Sequence, residues 1–211
     1  MSSSELDALI VEHLADLDRA AAGIDGIQAG VFAAFGEKAG AWAKKQGWIS
    51  DFDYPEGGWS DWQAWIAPPE WRTADTAVDD DEFDGFFALS VGGGDTGDGK
   101  AGEDRFLLTR LCRAGVGRIG FRFGRPDFVK PRKWKQAVPR LAELMKTTGF
   151  VLDEAQSFFL PVTIQLVTLA QALREENLEA ALDPFEAALD SLLHAKPTFD
   201  EVLRSLRLSD S

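Results

Sequence analysis

RIGFRFGR, residues 118–125, carries the clearest strand pattern in the chain. Its apolar residues fall at every second position, as Ile119, Phe121 and Phe123. Because successive side chains of a β-strand point to opposite faces, this spacing predicts a strand with one face against a core. The other face would carry Arg118 and Arg122, and the glycines beside them would leave it shallow and cationic.

Segments with strand character lie on either side of this strand in the sequence. WISDFDY (residues 48–54) and WSDWQAWIAPPEW (residues 59–71) flank the turn sequence PEGG, an arrangement that predicts a hairpin. FDGFFALSV (residues 83–91) predicts a third strand, and residues 150–163 are again extended in character. The segment at residues 106–112 is too short to assign.

Helical patterns dominate the N-terminal part of the chain. A first helix is predicted by a stripe of residues at helical spacing, with Ser2 and Glu5 as a capping box. The stripe comprises Leu6, Leu9, Ile10, His13, Leu14 and Leu17. We expect His13 to pack against the core with its neighbours. A second helix is predicted from about Asp25 to Gln46, with Gly47 as its C-terminal stop.

Three glycines lie inside the second predicted helix, at Gly30, Gly36 and Gly40. Each costs about 1 kcal/mol against Ala, unless it allows close packing on a neighbouring element. Later in the chain, a helix is predicted from Pro131 to about Thr148. The chain after about residue 166 also predicts helices, with Pro197 opening a final short turn.

These patterns predict an α+β fold, with an antiparallel or mixed sheet of about five strands in the middle of the chain, packed by N-terminal and C-terminal helices. We expect one domain over residues 1–211. Its predicted division is helical over 1–47, mainly strands over 48–125, a helix over 126–149 and mainly helical over 150–211.

Composition limits the classes of function. Cys112 is the only cysteine and the histidines are His13 and His194, so an intrachain disulfide and a Cys/His zinc cluster are excluded. No run approaches the roughly 18 apolar residues of a membrane span, and the N-terminus is acidic where a signal peptide is basic. We expect a soluble cytoplasmic protein with no membrane partner, no cofactor and no metal.

The formal net charge of −13 hides a segregation of charge along the chain. Residues 105–146 hold 12 of the 22 Lys and Arg residues and only two acidic ones. This basic block surrounds Trp134 with Arg132 and Lys133. It has three interpretations: neutralisation within the fold, especially by residues 79–82, an acidic protein partner, or nucleic acid.

Tryptophan is concentrated between residues 48 and 71, which hold five of the seven in the chain. In a single strand Trp59 and Trp65 would project to one face and Trp62 to the other. Both faces therefore carry aromatic area, which is either buried in the core or offered to a partner.

A glycine-rich loop over residues 92–102 matches the spacing of a Walker A phosphate loop between Gly94 and Lys100. The Mg²⁺-binding Ser or Thr is replaced by Ala101, and Asp95 and Asp98 would repel phosphates. The sequence therefore favours a hairpin loop. Binding of a nucleotide by an enzyme site in this loop is kept as an alternative.

Protein–protein recognition without catalysis is the predicted function, as in a regulator, immunity protein or inhibitor. The nucleophile and base pattern of an enzyme is not evident in the sequence. The predicted partner-binding residues are Arg118, Arg122, Arg132, Lys133, Trp134, Trp59 and Trp65. A second alternative is a nucleic-acid-binding protein or metal-dependent nuclease-like hydrolase that uses the basic block.

Overall fold

The computed structural model describes residues 3–53, 63–73, 82–92, 106–114, 118–153 and 155–208. Within these ranges there are six α-helices: α1 (Ser3–Glu12), α2 (Leu14–Gln46), α3 (Leu107–Leu111), α4 (Pro131–Met145), α5 (Leu166–Arg174) and α6 (Asp183–Leu208). The same ranges contain six strands: β1 (Ile49–Asp53), β2 (Gln63–Ala67), β3 (Phe87–Gly92), β4 (Arg118–Phe123), β5 (Val151–Leu152) and β6 (Phe158–Val162).

The strands form one antiparallel sheet in the order β1-β2-β3-β4-β6-β5. Helices precede and follow this sheet in the chain, so the predicted α+β fold is confirmed. The sheet has six described strands, where about five were predicted. The difference arises at residues 150–163, which form β5 and β6 and pair with each other.

Strand β4 lies inside the sheet, between β3 and β6. Ile119, Phe121 and Phe123 are fully buried on the face that packs against helices. The ring of Phe123 lies 4.5 Å from that of Phe199 in α6, and the ring of Phe121 lies 5.7 Å from that of Phe185. The predicted division of this strand into a core face and an opposite face is confirmed.

Helix α2 joins the same core through aromatic stacking. Its Phe35 ring lies 4.0 Å from that of Phe185 in α6 and nearly parallel to it. Two buried indoles donate to carboxylates of α6: Trp42 to Asp190 at 2.9 Å, and Trp71 to Asp200 at 2.7 Å. Helix α6 therefore provides both apolar contacts and hydrogen-bond acceptors to the aromatic core.

The helices correct one assignment made from the sequence and supply another that the sequence left open. The residues from Pro197 onward do not form a separate turn, because α6 continues through Pro197 to Leu208. The short segment after Phe106 is helix α3.

The first two predicted helices form an almost continuous helix with an irregularity at His13. Backbone hydrogen bonds run across it, from the His13 amide to the Leu9 carbonyl at 3.1 Å and from the Leu17 amide to the His13 carbonyl at 2.9 Å. Residues 4–20 are all exposed. The expectation that His13 packs in the core is therefore wrong, since the helix extends beyond the body of the protein at this point. We call residues 3–24 the N-terminal arm.

The glycines of α2 differ in their surroundings. A Cβ built on Gly36 would lie 2.9 Å from the backbone oxygen of Phe52 in β1, whereas a Cβ on Gly40 meets nothing within 4 Å. Gly36 therefore allows the close approach of α2 to the sheet, and Gly40 does not serve that purpose.

Replacing these two glycines by Ala is expected to change stability in opposite directions. Gly40→Ala should raise the free energy of unfolding by up to about 1 kcal/mol, because Ala is the better helix former. Gly36→Ala should lower it by about 1–3 kcal/mol, because overpacking against the β1 backbone outweighs the helix preference. Urea denaturation of both variants measures the difference. Equal stabilisation by both would contradict the close contact of α2 with β1.

Candidate functional site

The face of the sheet opposite α2 and α6, which we call the second face, carries a row of side chains in register. Trp65 is paired with Ala88, Ala88 with Arg122, and Arg122 with Phe159. Since adjacent strands lie about 5 Å apart, Trp65 and Arg122 are separated by about 10 Å at the backbone. The structure therefore brings together two of the residues that were predicted to bind a partner.

An aromatic groove lies at the Trp65 end of this row. It has a volume of about 700 Å³ and is lined by Trp65, Phe83, Phe86 and Phe128, together with Ala88 and Ser90 of β3. The Trp65 ring lies 5.0 Å from Phe83 and 6.3 Å from Phe86. Phe86 keeps 44% of its surface exposed.

The rim of the aromatic groove is acidic. Glu82, Asp84 and Asp127 line it, and Glu82 and Asp127 are exposed. Asp84 forms an ion pair with Arg207 at the end of α6. The guanidinium of Arg72 lies over the Phe83 ring, 5.9 Å from its centre. A groove lined by both apolar rings and exposed carboxylates is suited to a ligand that is both apolar and cationic.

Arg122 is bound within the fold. It donates to the Val91 carbonyl at 2.7 Å, and its Nη2 lies 3.1 Å from the Asp153 carboxylate, a charge contact that is not aligned as a hydrogen bond. Its guanidinium also lies over the Phe159 ring at 5.7 Å. These contacts favour internal neutralisation for Arg122. Asp153 is the acidic residue that neutralises Arg122. The sequence had predicted that residues 79–82 would neutralise the basic block. Residues 79–81 lie outside the described residues, and Glu82 lies on the rim of the aromatic groove.

The other described residues that were predicted to bind a partner are divided between the two sides of the sheet. Arg118 is exposed at the start of β4, on the same face of this strand as Arg122. Arg132 and Lys133 lie on α4, which packs on the helical side of the sheet. Trp134 is only 5% exposed: its indole donates to the Gln156 carbonyl at 2.8 Å and its ring lies 6.0 Å from that of Phe158 in the core. The expectation that Trp134 contacts a partner is therefore corrected.

Several predictions fall on residues outside the described ranges. Trp59 and Trp62 belong to these, as do the PEGG turn and residues 93–102 of the glycine-rich loop, which include Lys100. Of the other clustered tryptophans, Trp48 and Trp71 are buried and Trp65 is half-buried in the aromatic groove. The described members of the tryptophan cluster therefore include both buried residues and one that is partly exposed to solvent.

A second groove, which we call the α4–α6 groove, was missed from the sequence. It has a volume of about 570 Å³ and lies between α4 and α6. Lys133, Ala137, Arg140 and Leu144 line its α4 side, and Glu201 and Ser205 line its α6 side. The signal that could have revealed it is the spacing of its α4 residues, which places them on one helical face beside the buried face.

The N-terminal arm is the third surface feature. Its large apolar residues are between 42% and 72% exposed: Leu6, Leu9, Ile10, Val11, Leu14 and Leu17. The sequence predicted the stripe, but its exposure follows from the arm extending beyond the sheet.

Groups suited to catalysis or metal binding are sparse in the described part of the chain. No cluster of three His, Cys, Asp or Glu residues with metal-binding geometry occurs there. Cys112 is buried, and burial raises the pKa of its thiol. Among the described residues, no helix combines the length and apolar character that crossing a membrane requires.

Comparison with known proteins gave no relatives: no protein-family model matches the chain, and no match was found among curated proteins or among solved structures.

Neutralising Asp153 is expected to destabilise the protein. Asp153→Asn keeps the shape of the side chain but leaves the Arg122 charge without its partner, and we expect a loss of about 1–2 kcal/mol of unfolding free energy. The loss stays below that of a fully buried pair because Arg122 is partly exposed to water. Glu143→Gln is the control, because Glu143 pairs with Lys146 on the surface and should cost under about 1 kcal/mol. Chemical denaturation that gives equal losses would contradict the structural role of Asp153.

The thiol of Cys112 is expected to be unreactive in the native protein. Because burial raises its pKa, little thiolate forms near neutral pH, and reactivity should rise only as the pH exceeds the ordinary range of a thiol. The native protein should react with an aromatic disulfide reagent at least about tenfold more slowly than the protein unfolded in urea. Equal rates in the two conditions would show that Cys112 is accessible.

Proposed function

We propose that this protein acts by protein–protein recognition, as a cytoplasmic regulator, immunity protein or inhibitor, and that it binds a basic segment of its partner in the aromatic groove. The observation that carries the proposal is the partly exposed Phe86 ring beside Trp65 and Phe83 under an acidic rim.

The apolar part of the groove supports recognition of a side-chain anchor. Aromatic residues at the centre of an interface contribute much of its binding energy when a partner excludes water from them. Phe86 is partly exposed, and the Trp65 ring contacts both the Phe86 ring and the Phe83 ring. A partner residue inserted there would bury these rings without rearranging the sheet.

The charge of the rim supports a cationic partner. Glu82 and Asp127 are exposed at the rim, and the chain as a whole carries a net charge of −13. Such a field attracts basic proteins over long distances and repels nucleic acid. An Arg or Lys of the partner could pair with a rim carboxylate while its stem lies on the aromatic rings.

The arrangement of the basic block gives less support to nucleic acid as the ligand. A phosphate-binding surface needs several cations on one face. Here Arg122 contacts Asp153 on the second face, while Arg132 and Lys133 lie on the helical side of the sheet. The carboxylates of the aromatic groove would repel a phosphate backbone.

Capture experiments with matched variants test this function. Phe86→Ser removes the exposed ring and Asp127→Lys reverses a rim charge. Val167→Ser is the control, because Val167 is 74% exposed on α5 and does not line the groove. The tagged proteins are used to capture partners from a native bacterial lysate, in nuclease-treated and untreated halves, and the retained proteins are quantified by mass spectrometry.

We expect one protein, retained in both halves by the wild type and by Val167→Ser, to be retained about tenfold less by Phe86→Ser. Its retention should also fall with Asp127→Lys and with rising salt. Retention unaffected by Phe86→Ser would overturn the role of the groove. Nucleic acid retained in the untreated half, without a stoichiometric protein, would replace the proposal with nucleic-acid binding.

A further inference from the structure

The N-terminal arm carries an apolar stripe that its own chain leaves exposed. Leu6, Ile10 and Leu17 lie on one side of the helix, with Leu9 and Leu14 beside them, and each is at least 42% exposed. Exposed apolar area of this kind, collected along one helical face, is typical of a surface that binds another helix or a groove.

The same stripe continues into the core of the protein. Further along α2, Ile27 is partly buried, and Val31 and Phe35 are fully buried against the sheet and α6. The helix therefore has one apolar side that is covered at its C-terminal half and exposed at its N-terminal half. The exposed half extends an interface that the protein already uses for packing.

Charges along the arm restrict what can cover it. Asp7 and Asp18 flank one side of the stripe, and Glu5, Glu12 and Asp16 flank the other. The basic Arg19 is paired with Asp16. Two such arms packed against each other would place like charges together, and an anionic membrane would also repel them. The arm therefore requires a surface that is apolar at its centre and basic at its edge.

The α4–α6 groove has these properties. Ala137 and Leu144 provide apolar surface, and Leu144 is 43% exposed. Lys133 and Arg140 provide positive charge along the α4 edge, and Glu201 is the acidic residue on the α6 side.

The lengths of the two surfaces agree. The arm stripe from Leu6 to Leu17 and the groove face from Lys133 to Leu144 each span about 16 Å at the helical rise per residue.

We propose that the N-terminal arm of one copy of this protein lies in the α4–α6 groove of a second copy. The arm contributes its leucines to the apolar floor, and its flanking carboxylates pair with the basic edge of α4. Each copy has one arm and one groove, so reciprocal exchange satisfies both sites in a closed pair. The association is independent of the aromatic groove, which has no lining residue in common with the α4–α6 groove.

The test uses the full chain and measures molar mass by sedimentation over a range of concentrations. The arm variant is Ile10→Ser with Leu17→Ser, and the groove variant is Arg140→Glu with Leu144→Ser. The control variant is Val167→Ser with Arg174→Glu, an exposed pair on α5. All six positions are exposed, so the variants should fold, which circular dichroism and urea midpoints verify.

The wild type and the control variant should approach twice the chain mass of 23.1 kDa as concentration rises. The arm variant and the groove variant should each stay monomeric. Mixing these two variants should restore a two-chain complex, because the intact arm of one can enter the intact groove of the other. Arg140→Glu by itself should raise the dissociation constant by roughly threefold to tenfold at low salt.

Three results would overturn the proposal. A wild type that remains monomeric over the whole concentration range would exclude self-association. The proposal would then be wrong even if the arm were found to bind vesicles or another protein. A groove variant that still dimerises while the arm variant does not would show that arm packs on arm. A mixture that stays monomeric would exclude insertion of the arm into the groove.

Discussion

The packing of Phe199 against one face of the sheet is the contact on which the rest of the fold depends. This residue of α6 is fully buried, and its ring lies between 4.5 and 6.3 Å from five other aromatic rings, those of Trp71, Phe87, Phe123, Phe150 and Phe158. Phe185, earlier in the same helix, connects α6 to Phe35 of α2. Helix α6 thereby fixes which face of β3, β4 and β6 is the core face. The aromatic groove and Arg122 lie on the second face as a consequence.

The alternation within β4 explains why the basic block does not become one surface. Phe121 and Phe123 must face α6, so Arg122 projects to the second face, where it meets Asp153. The basic residues of α4 belong to a helix whose Trp134 and Leu141 are buried on the helical side. Cations that are adjacent in the sequence are therefore separated by the sheet.

Local periodicity predicted the parts of the fold that local geometry determines. The alternation of residues 118–125 and the helical stripes were sufficient for the α+β class, because each element must bury its apolar side. Exposure depends on distant parts of the chain, so the sequence could not distinguish the exposed His13 from a packed one. The same limit applies to the Arg122–Asp153 contact, to the burial of Trp134 and to the different surroundings of Gly36 and Gly40.

The N-terminal arm and the α4–α6 groove show how a chain with a net charge of −13 could bind a second copy of itself. A chain of this charge repels copies of itself at long range, so self-association requires a local surface of opposite sign. The α4 edge, with Lys133 and Arg140, is such a surface, and it lies on the helical side of the sheet. A pair of chains joined there would retain two aromatic grooves. Two linked grooves would bind a partner with repeated basic segments more tightly than either groove does by itself.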